Sequence, residues 1–121
     1  MEVELDAFSG RPNPRWRLLP HQAREFTGKL HRLPRQHERP ASAEQGLGFR
    51  GFIVTGTSEE LGSYDEVVVT SSTIHARSGS VSHNFEDQDR TLEQWLLEIM
   101  RGRVDEALYR YILREAQSRR E

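Results

Sequence analysis

The spacing of the apolar residues changes along the chain, and this change limits the possible folds more than any other feature. Residues 2–7 alternate acidic and apolar side chains, which is typical of a β-strand with one solvated face. Towards the C-terminus the apolar residues recur at helical spacing, forming one stripe: Leu92, Trp95, Leu96, Ile99 and Met100. Strand and helix patterns therefore coexist in one chain, and this favours the α+β class.

The segments between these two ends follow the same logic. Residues 15–18 alternate and predict a short second strand, and Pro20 suits the first position of a helix that Pro34 ends. Residues 49–55, 66–70 and 73–77 are rich in strand-forming side chains. Thr91 and Gln94 have the spacing of a capping box before the next helix, and the last helix starts near Asp105. Its predicted inner stripe is Val104, Leu108, Tyr111 and Ile112.

This order predicts a small, mostly antiparallel sheet of about four to five strands with helices packed on one face, in the order β-β-α-β-β-β-α-α. A chain of 121 residues is large enough to bury its own core, so we expect residues 1–121 to form a single domain. Residues 34–48 contain two prolines and two glycines but little apolar surface, and we expect a mobile loop there.

The motif SGRPNP at residues 9–14 separates the first two predicted strands. Each proline fixes its own φ and disfavours helical backbone in the residue before it, while Gly10 permits a sharp reversal. Arg11 and Asn13 are therefore displayed on a stiff loop, and Arg11 is suited to hold a carboxylate or phosphate. Trp16 follows closely and can supply an aromatic anchor for a partner.

We therefore predict a binding surface made of Arg11, Asn13, Arg15, Trp16 and Arg17. The alternative is structural: Asn13 and the prolines stabilise a tight turn, and Arg11 pairs with an acid of the neighbouring strand.

A second polar segment, residues 83–89, places a histidine close to several carboxylates and just before a helix. His83 with Asp87 or Asp89 could act as an acid–base pair, with Arg11 holding an anionic substrate. The spacing does not fit an EF-hand loop. Acidic side chains before a helix also stabilise its N-terminus without any ligand, so a structural role is the alternative.

Several site classes have no support in the sequence. The chain has no cysteine, which excludes disulfides and thiolate metal sites, and its five histidines have no paired spacing, so we predict no metal site. There is no phosphate-binding glycine loop, dinucleotide fingerprint or GxSxG nucleophile motif, and we predict no cofactor. No apolar run is long enough for a membrane span and no signal-peptide pattern is present, so we expect a cytoplasmic, soluble protein.

Charge is distributed unevenly along the chain. Residues 11–39 carry eight Arg and Lys against two Glu, giving +6, and residues 56–100 carry nine acids against two Arg, giving −7. The acidic segment would repel phosphate, which argues against nucleic acid as the partner. The opposite charges leave open that two copies form a homodimer.

These observations favour a small binding or accessory module over a stand-alone enzyme. Its partner would be a protein, a peptide or a small anionic ligand held by the SGRPNP loop and Trp16. The rival hypothesis is a small acid–base enzyme that uses His83, Asp87, Asp89 and Arg11 on an anionic substrate.

Overall fold

The computed structural model describes residues 1–7, 12–36, 50–57, 61–70 and 72–118. The strands are β1 (Glu2–Asp6), β2 (Arg15–Arg17), β3 (Arg35–Gln36), β4 (Gly51–Thr55), β5 (Glu66–Thr70), β6 (Thr73–Ser78) and β7 (Val81–Glu86). The helices are α1 (Pro20–His31), α2 (Thr91–Met100) and α3 (Glu106–Ser118), and a short 3-10 turn, Gln88–Arg90, precedes α2.

The seven described strands form one antiparallel sheet in the order β2-β1-β4-β5-β6-β7-β3. Strands β4 to β7 follow one another in the chain as a meander, whereas β1 is inserted between β2 and β4. The two edge strands, β2 and β3, are the shortest in the sheet. The predicted α+β class is confirmed.

One face of the sheet supplies the core. Alternate side chains point to the same face of a strand, and those on the covered face are buried: Val3, Leu5, Trp16, Phe52, Val54, Val67, Val69, Ile74, Ala76 and Phe85. On the opposite face the central side chains Ile53, Val68 and His75 are only half-buried. The alternation read from residues 2–7 is therefore the division between the core and the outer face of the sheet.

The helices cover the core face. Helix α2 lies on β4 and β5, and α1 packs beside α2. Phe26 and Leu30 are the buried side chains of α1. In α2 the predicted stripe is buried at Leu92, Leu96 and Met100. In α3 Ile112 is buried as predicted, but Tyr111 is 39% exposed, because the inward face of the helix continues through Ala116 instead.

The sheet has more strands than predicted. Arg35–Gln36 lie within the predicted loop of residues 34–48 but pair with Phe85 and Asn84 of β7, while residues 37–48 of that loop lie outside the described residues. Strand β7 contains mostly polar side chains, so its sequence does not look like a strand; it forms because β6 pairs with it along its whole length.

The start of α2 also differs from the prediction. The Thr91 hydroxyl donates to the Gln88 carbonyl, and the helix is capped instead by the Asp87 carboxylate, which accepts the backbone N–H groups of Leu92 at 2.9 Å and Glu93 at 3.0 Å. The left-handed backbone of Asp89 and Arg90, with φ of 56° and 54°, reverses the chain so that Asp87 lies over the helix start.

None of the helices in the described part of the chain has the length and apolar composition needed to cross a lipid bilayer.

Candidate functional site

An open cleft of about 670 Å³ lies beside β7, close to the end of α1. It brings together side chains from three segments of the chain, residues 31–35, 62–64 and 78–85, among them His31, Arg35, Tyr64, Val81, His83 and Phe85. We call it the Tyr64–His83 cleft.

One turn with unusual backbone places Tyr64 in the cleft. Gly62 and Ser63 both have positive φ, 62° and 88°, and the chain therefore reverses directly before Tyr64. A non-glycine residue in this region is uncommon, and such strained residues cluster at functional sites. On the other side of Tyr64, the Asp65 carboxylate accepts the backbone N–H of Gly79 at 2.9 Å and so ties this turn to the β6–β7 hairpin.

The centre of the cleft is a hydrogen-bonded pair of aromatic side chains. The Tyr64 hydroxyl lies 2.9 Å from Nδ1 of His83. When Tyr64 donates this hydrogen bond, the neutral imidazole carries its proton on Nε2, which is then a donor for a further partner. The two rings meet edge to face at 5.9 Å, and Tyr64 meets Phe85 in the same way at 6.2 Å.

The basic side chains of the cleft come from the end of α1 and the strand that follows. Helix α1 closes with Arg32 and Leu33 donating to the carbonyls of Lys29 and Leu30. Pro34 then prevents further helix, and its carbonyl accepts the N–H of Glu86 at 3.0 Å, which fixes β3 against β7. Both His31, at the last helical position, and Arg35, on β3, line the cleft with exposed side chains.

His31 is held close to the backbone of the turn. A Cβ built on Gly62 would lie only 2.5 Å from His31 Nε2, so the absence of a side chain at Gly62 makes room for the imidazole. Among the described residues neither His31 nor Arg35 has an ion-pair partner, and no Asp or Glu of the described chain lines the cleft. Within its described lining, the cleft thus offers positive charge and hydrogen-bond donors and no carboxylate to neutralise them.

The SGRPNP loop is described only from Pro12 onwards, and Arg11 lies outside the described residues. Asn13 is turned back onto β1: its Oδ1 accepts the N–H of Ala7 at 3.2 Å and its Nδ2 donates to Glu4 at 3.0 Å. The carbonyl of Pro14 accepts the N–H of Leu5 at 2.9 Å. The described part of the loop therefore fastens β2 to β1, which is the structural alternative for this motif.

Trp16, which was predicted as an aromatic anchor of the binding surface, does not lie at the surface. Trp16 is 7% exposed and packs edge to face on Phe52 at 6.4 Å, because its position on β2 faces the helices. Its neighbours Arg15 and Arg17 point to the outer face and are exposed. Arg15 forms an ion pair with Glu4 at 2.9 Å across the β1–β2 pairing.

The predicted acid–base group is also arranged differently. Both oxygens of Asp87 are used in capping α2, and Asp87 is 1% exposed. Burial raises the pKa of the Asp87 carboxyl above its ordinary value, against the opposing effect of the two hydrogen bonds and of the Arg90 guanidinium. Asp89 is exposed on the 3-10 turn. Of the described members of the predicted group, only His83 lies in the cleft, and its partner is Tyr64.

Sequence reasoning missed Tyr64, His31 and Arg35. They are separated from His83 by 19 residues or more, and no spacing within one helix or strand connects them. The one local signal is the pair Gly62 and Ser63, residue types that are common in turns.

Among the described residues, no three His, Asp or Glu side chains come together in a way that could hold a metal ion. Comparisons of the chain with protein-family models, with curated proteins and with solved structures found no match.

Proposed function

We propose that this protein is a small binding module that holds an anionic group in the Tyr64–His83 cleft. The observation that carries the proposal is the arrangement of His31 and Arg35 around the Tyr64–His83 hydrogen bond in a cleft of about 670 Å³. The class of function is the one predicted from the sequence, but the proposed surface is at the β3 edge of the sheet, opposite the β2 edge that follows the described residues 12–14 of the SGRPNP motif.

The charges of the cleft support an anion over a cation or a neutral ligand. A guanidinium offers several N–H donors in a plane that matches carboxylate and phosphate oxygens. The imidazoles of His31 and His83 add donors on the same cleft. A cation would instead need the carboxylates that the described lining lacks.

The experiment is a titration of ¹⁵N-labelled protein with inorganic phosphate, followed by amide chemical shifts. We expect the shifts to concentrate in residues 31–35, 61–64 and 78–85, which line the cleft, and the affinity to be about millimolar, as a single small ion permits. Arg35→Gln should weaken binding by about tenfold, because a hydrogen bond to a charged group contributes about 1.5–3 kcal/mol.

Arg17→Gln is the matched control. Arg17 is also an exposed arginine on an edge strand, but it lies on β2, at the other side of the sheet and within the surface predicted from the sequence. Binding should be unchanged in this variant. Equal losses in both variants, or shifts scattered over the whole surface, would show that phosphate is attracted only by general charge and would refute the proposal.

An acid–base enzyme is the second candidate, and the Tyr64–His83 hydrogen bond favours it. A phenol and an imidazole in contact can pass a proton to or from a bound group. Phenyl phosphate followed by ³¹P spectroscopy tests one such reaction. Release of inorganic phosphate that is lost in His83→Gln would favour the enzyme, whereas unchanged phenyl phosphate favours binding alone.

The proposal includes a cytoplasmic location, with which a sequence free of cysteine is compatible. Two separate proposals concern Arg15 and Arg17: that they bind a protein or peptide, and that two copies of the chain associate. The Arg17→Gln variant tests the first by pull-down and the second by sedimentation.

A further inference from the structure

The side chains of the Tyr64–His83 cleft differ in depth according to their chemistry. Tyr64 and Phe85, which are aromatic, form its floor and are only 8% and 5% exposed. His31 and Arg35, which are basic, are exposed at its rim. Val81 is also at the rim and is 55% exposed, an unusual degree for an aliphatic side chain in this protein.

The size of the cleft exceeds the needs of a simple ion. Its volume of about 670 Å³ falls within the range of about 300–1,000 Å³ that is typical of sites for organic ligands. An inorganic anion at the rim would fill only part of this volume, whereas an organic body attached to the anion would reach the exposed edges of Tyr64 and Phe85 and cover Val81.

We infer that the ligand is an anion carried on an aromatic ring, such as an aryl phosphate or an aryl carboxylate. The ring lies on Tyr64 and Phe85, and the anionic group reaches His31 and Arg35. Aromatic rings prefer edge-to-face or offset contacts with one another, and such contacts favour binding beyond the effect of area alone. The hydrogen-bonded Tyr64–His83 pair offers a polar contact to a substituent on the buried end of the ring. This inference rests on the proposed function.

The test compares three probes with the same anionic group: inorganic phosphate, n-butyl phosphate and phenyl phosphate. Phenyl phosphate should bind at least about tenfold more tightly than inorganic phosphate, because ring burial adds to the same ionic contact, and n-butyl phosphate should lie between them. Affinities of the three probes within about twofold of one another would overturn the inference but leave the proposed function intact. Failure of all three to bind would refute the proposed function itself.

Magnetisation transfer locates the ring directly. Nuclear Overhauser effects should connect the phenyl protons of the ligand with the Phe85 ring and the Val81 methyl groups. Effects to side chains elsewhere, and none to these two, would overturn the inference even if the affinities followed the expected order.

A rim variant separates the ring from the anion. Val81→Ser removes exposed apolar surface without disturbing the core. It should weaken the binding of phenyl phosphate by about threefold to tenfold and leave the binding of inorganic phosphate unchanged. Leu19→Ser is the control, since Leu19 is 49% exposed but does not line the cleft; both probes should bind this variant as they bind the wild type. A Val81→Ser protein that binds phenyl phosphate as well as the wild type does would contradict a ring at this position.

Discussion

Replacement of Gly62 by alanine should separate the stability of the protein from its ability to bind an anion. Gly62 has φ of 62°, and a Cβ placed on it would lie 2.5 Å from His31 Nε2 and 2.6 Å from His31 Cε1. Gly79 provides the matched variant, because its φ is 59° and a Cβ there would meet no atom within 4 Å. Both substitutions introduce the same backbone conformation, but only the first meets a cleft side chain.

The geometry gives the size of each effect. An alanine with left-handed backbone costs about 1–2 kcal/mol of folding free energy, and this cost applies to both variants. At Gly62 the imidazole must also withdraw by about 0.9 Å, from 2.5 Å to the 3.4 Å at which ordinary contact begins. Because His31 is exposed at the end of a helix, its ring can move to another rotamer for about 0.5–1.5 kcal/mol or less. The free energies of unfolding of the two variants should therefore differ by no more than about 1.5 kcal/mol.

Binding should divide the two variants sharply. A displacement of this size breaks a hydrogen bond from His31 to a bound phosphate oxygen. Gly62→Ala should therefore weaken the binding of inorganic phosphate by about fivefold to tenfold. Urea denaturation measures the free energy of unfolding, and the amide-shift titration measures phosphate affinity in the same samples. If Gly79→Ala loses as much affinity as Gly62→Ala, or if Gly62→Ala binds as the wild type does, then His31 does not take part in the site.

Three further predictions concern the fold. Burial raises the pKa of Asp87 in the folded state, so its contribution to stability is largest below its unfolded pKa of about 3.9 and is lost as pH rises through the folded pKa. In urea denaturation, the difference in unfolding free energy between the wild type and Asp87→Asn should therefore grow in favour of the wild type as the solution is acidified. A difference that stays constant with pH would contradict the effect of burial. Gly51→Ala should destabilise the fold by about 3 kcal/mol or more, since φ of Gly51 is 133° and the new Cβ would collide with the Val69 carbonyl. Gly28→Ala, which has open space in α1, should instead stabilise the fold by about 0.5–1 kcal/mol. Thermal melting should show a lower melting temperature for the first variant and a higher one for the second. Trp16→Ala should cost about 3–5 kcal/mol in the same melting assay, as for a buried aromatic residue, and a loss below about 1 kcal/mol would show that Trp16 is not part of the core.

The elements with a repeated apolar spacing were predictable from the sequence. Strand β1 buries its alternating apolar side chains as predicted, and helix α2 buries Leu92, Leu96 and Met100 of its predicted stripe. The buried face of α2 also includes Glu93 and Leu97, whereas Trp95 and Ile99 of the stripe are half-buried. Strand β7 was not predictable, because Phe85 is its only fully buried side chain and its pairing with β6 comes from the hairpin at Gly79. Local spacing reports burial, so a polar strand held by its neighbours gives no signal.

The site was predictable only in part, for a related reason. His83 was selected because it stands near carboxylates in the sequence, but alternation along β7 turns it towards Tyr64, and Asp87 belongs to the start of α2. Trp16 was predicted as an aromatic anchor of the binding surface because it closely follows the stiff SGRPNP loop. Its face of the strand, which is set by the β1–β2 register, decides its burial. Sequence order shows which residues are adjacent, whereas the site depends on which residues the sheet brings together.

The order of strands in the sheet has a consequence for how the chain reaches this structure. Strands β4 to β7 pair with their neighbours in sequence, so their contacts close short loops and can form early in folding. Strand β1 must instead find β4 across more than forty residues of chain, at a larger entropic cost of closure. We therefore expect the meander to be the structured part of the folding transition state, with the β1–β2 hairpin docking afterwards. Destabilising substitutions in β5 or β6 should mainly slow folding, while those in β1 or β2 should mainly accelerate unfolding.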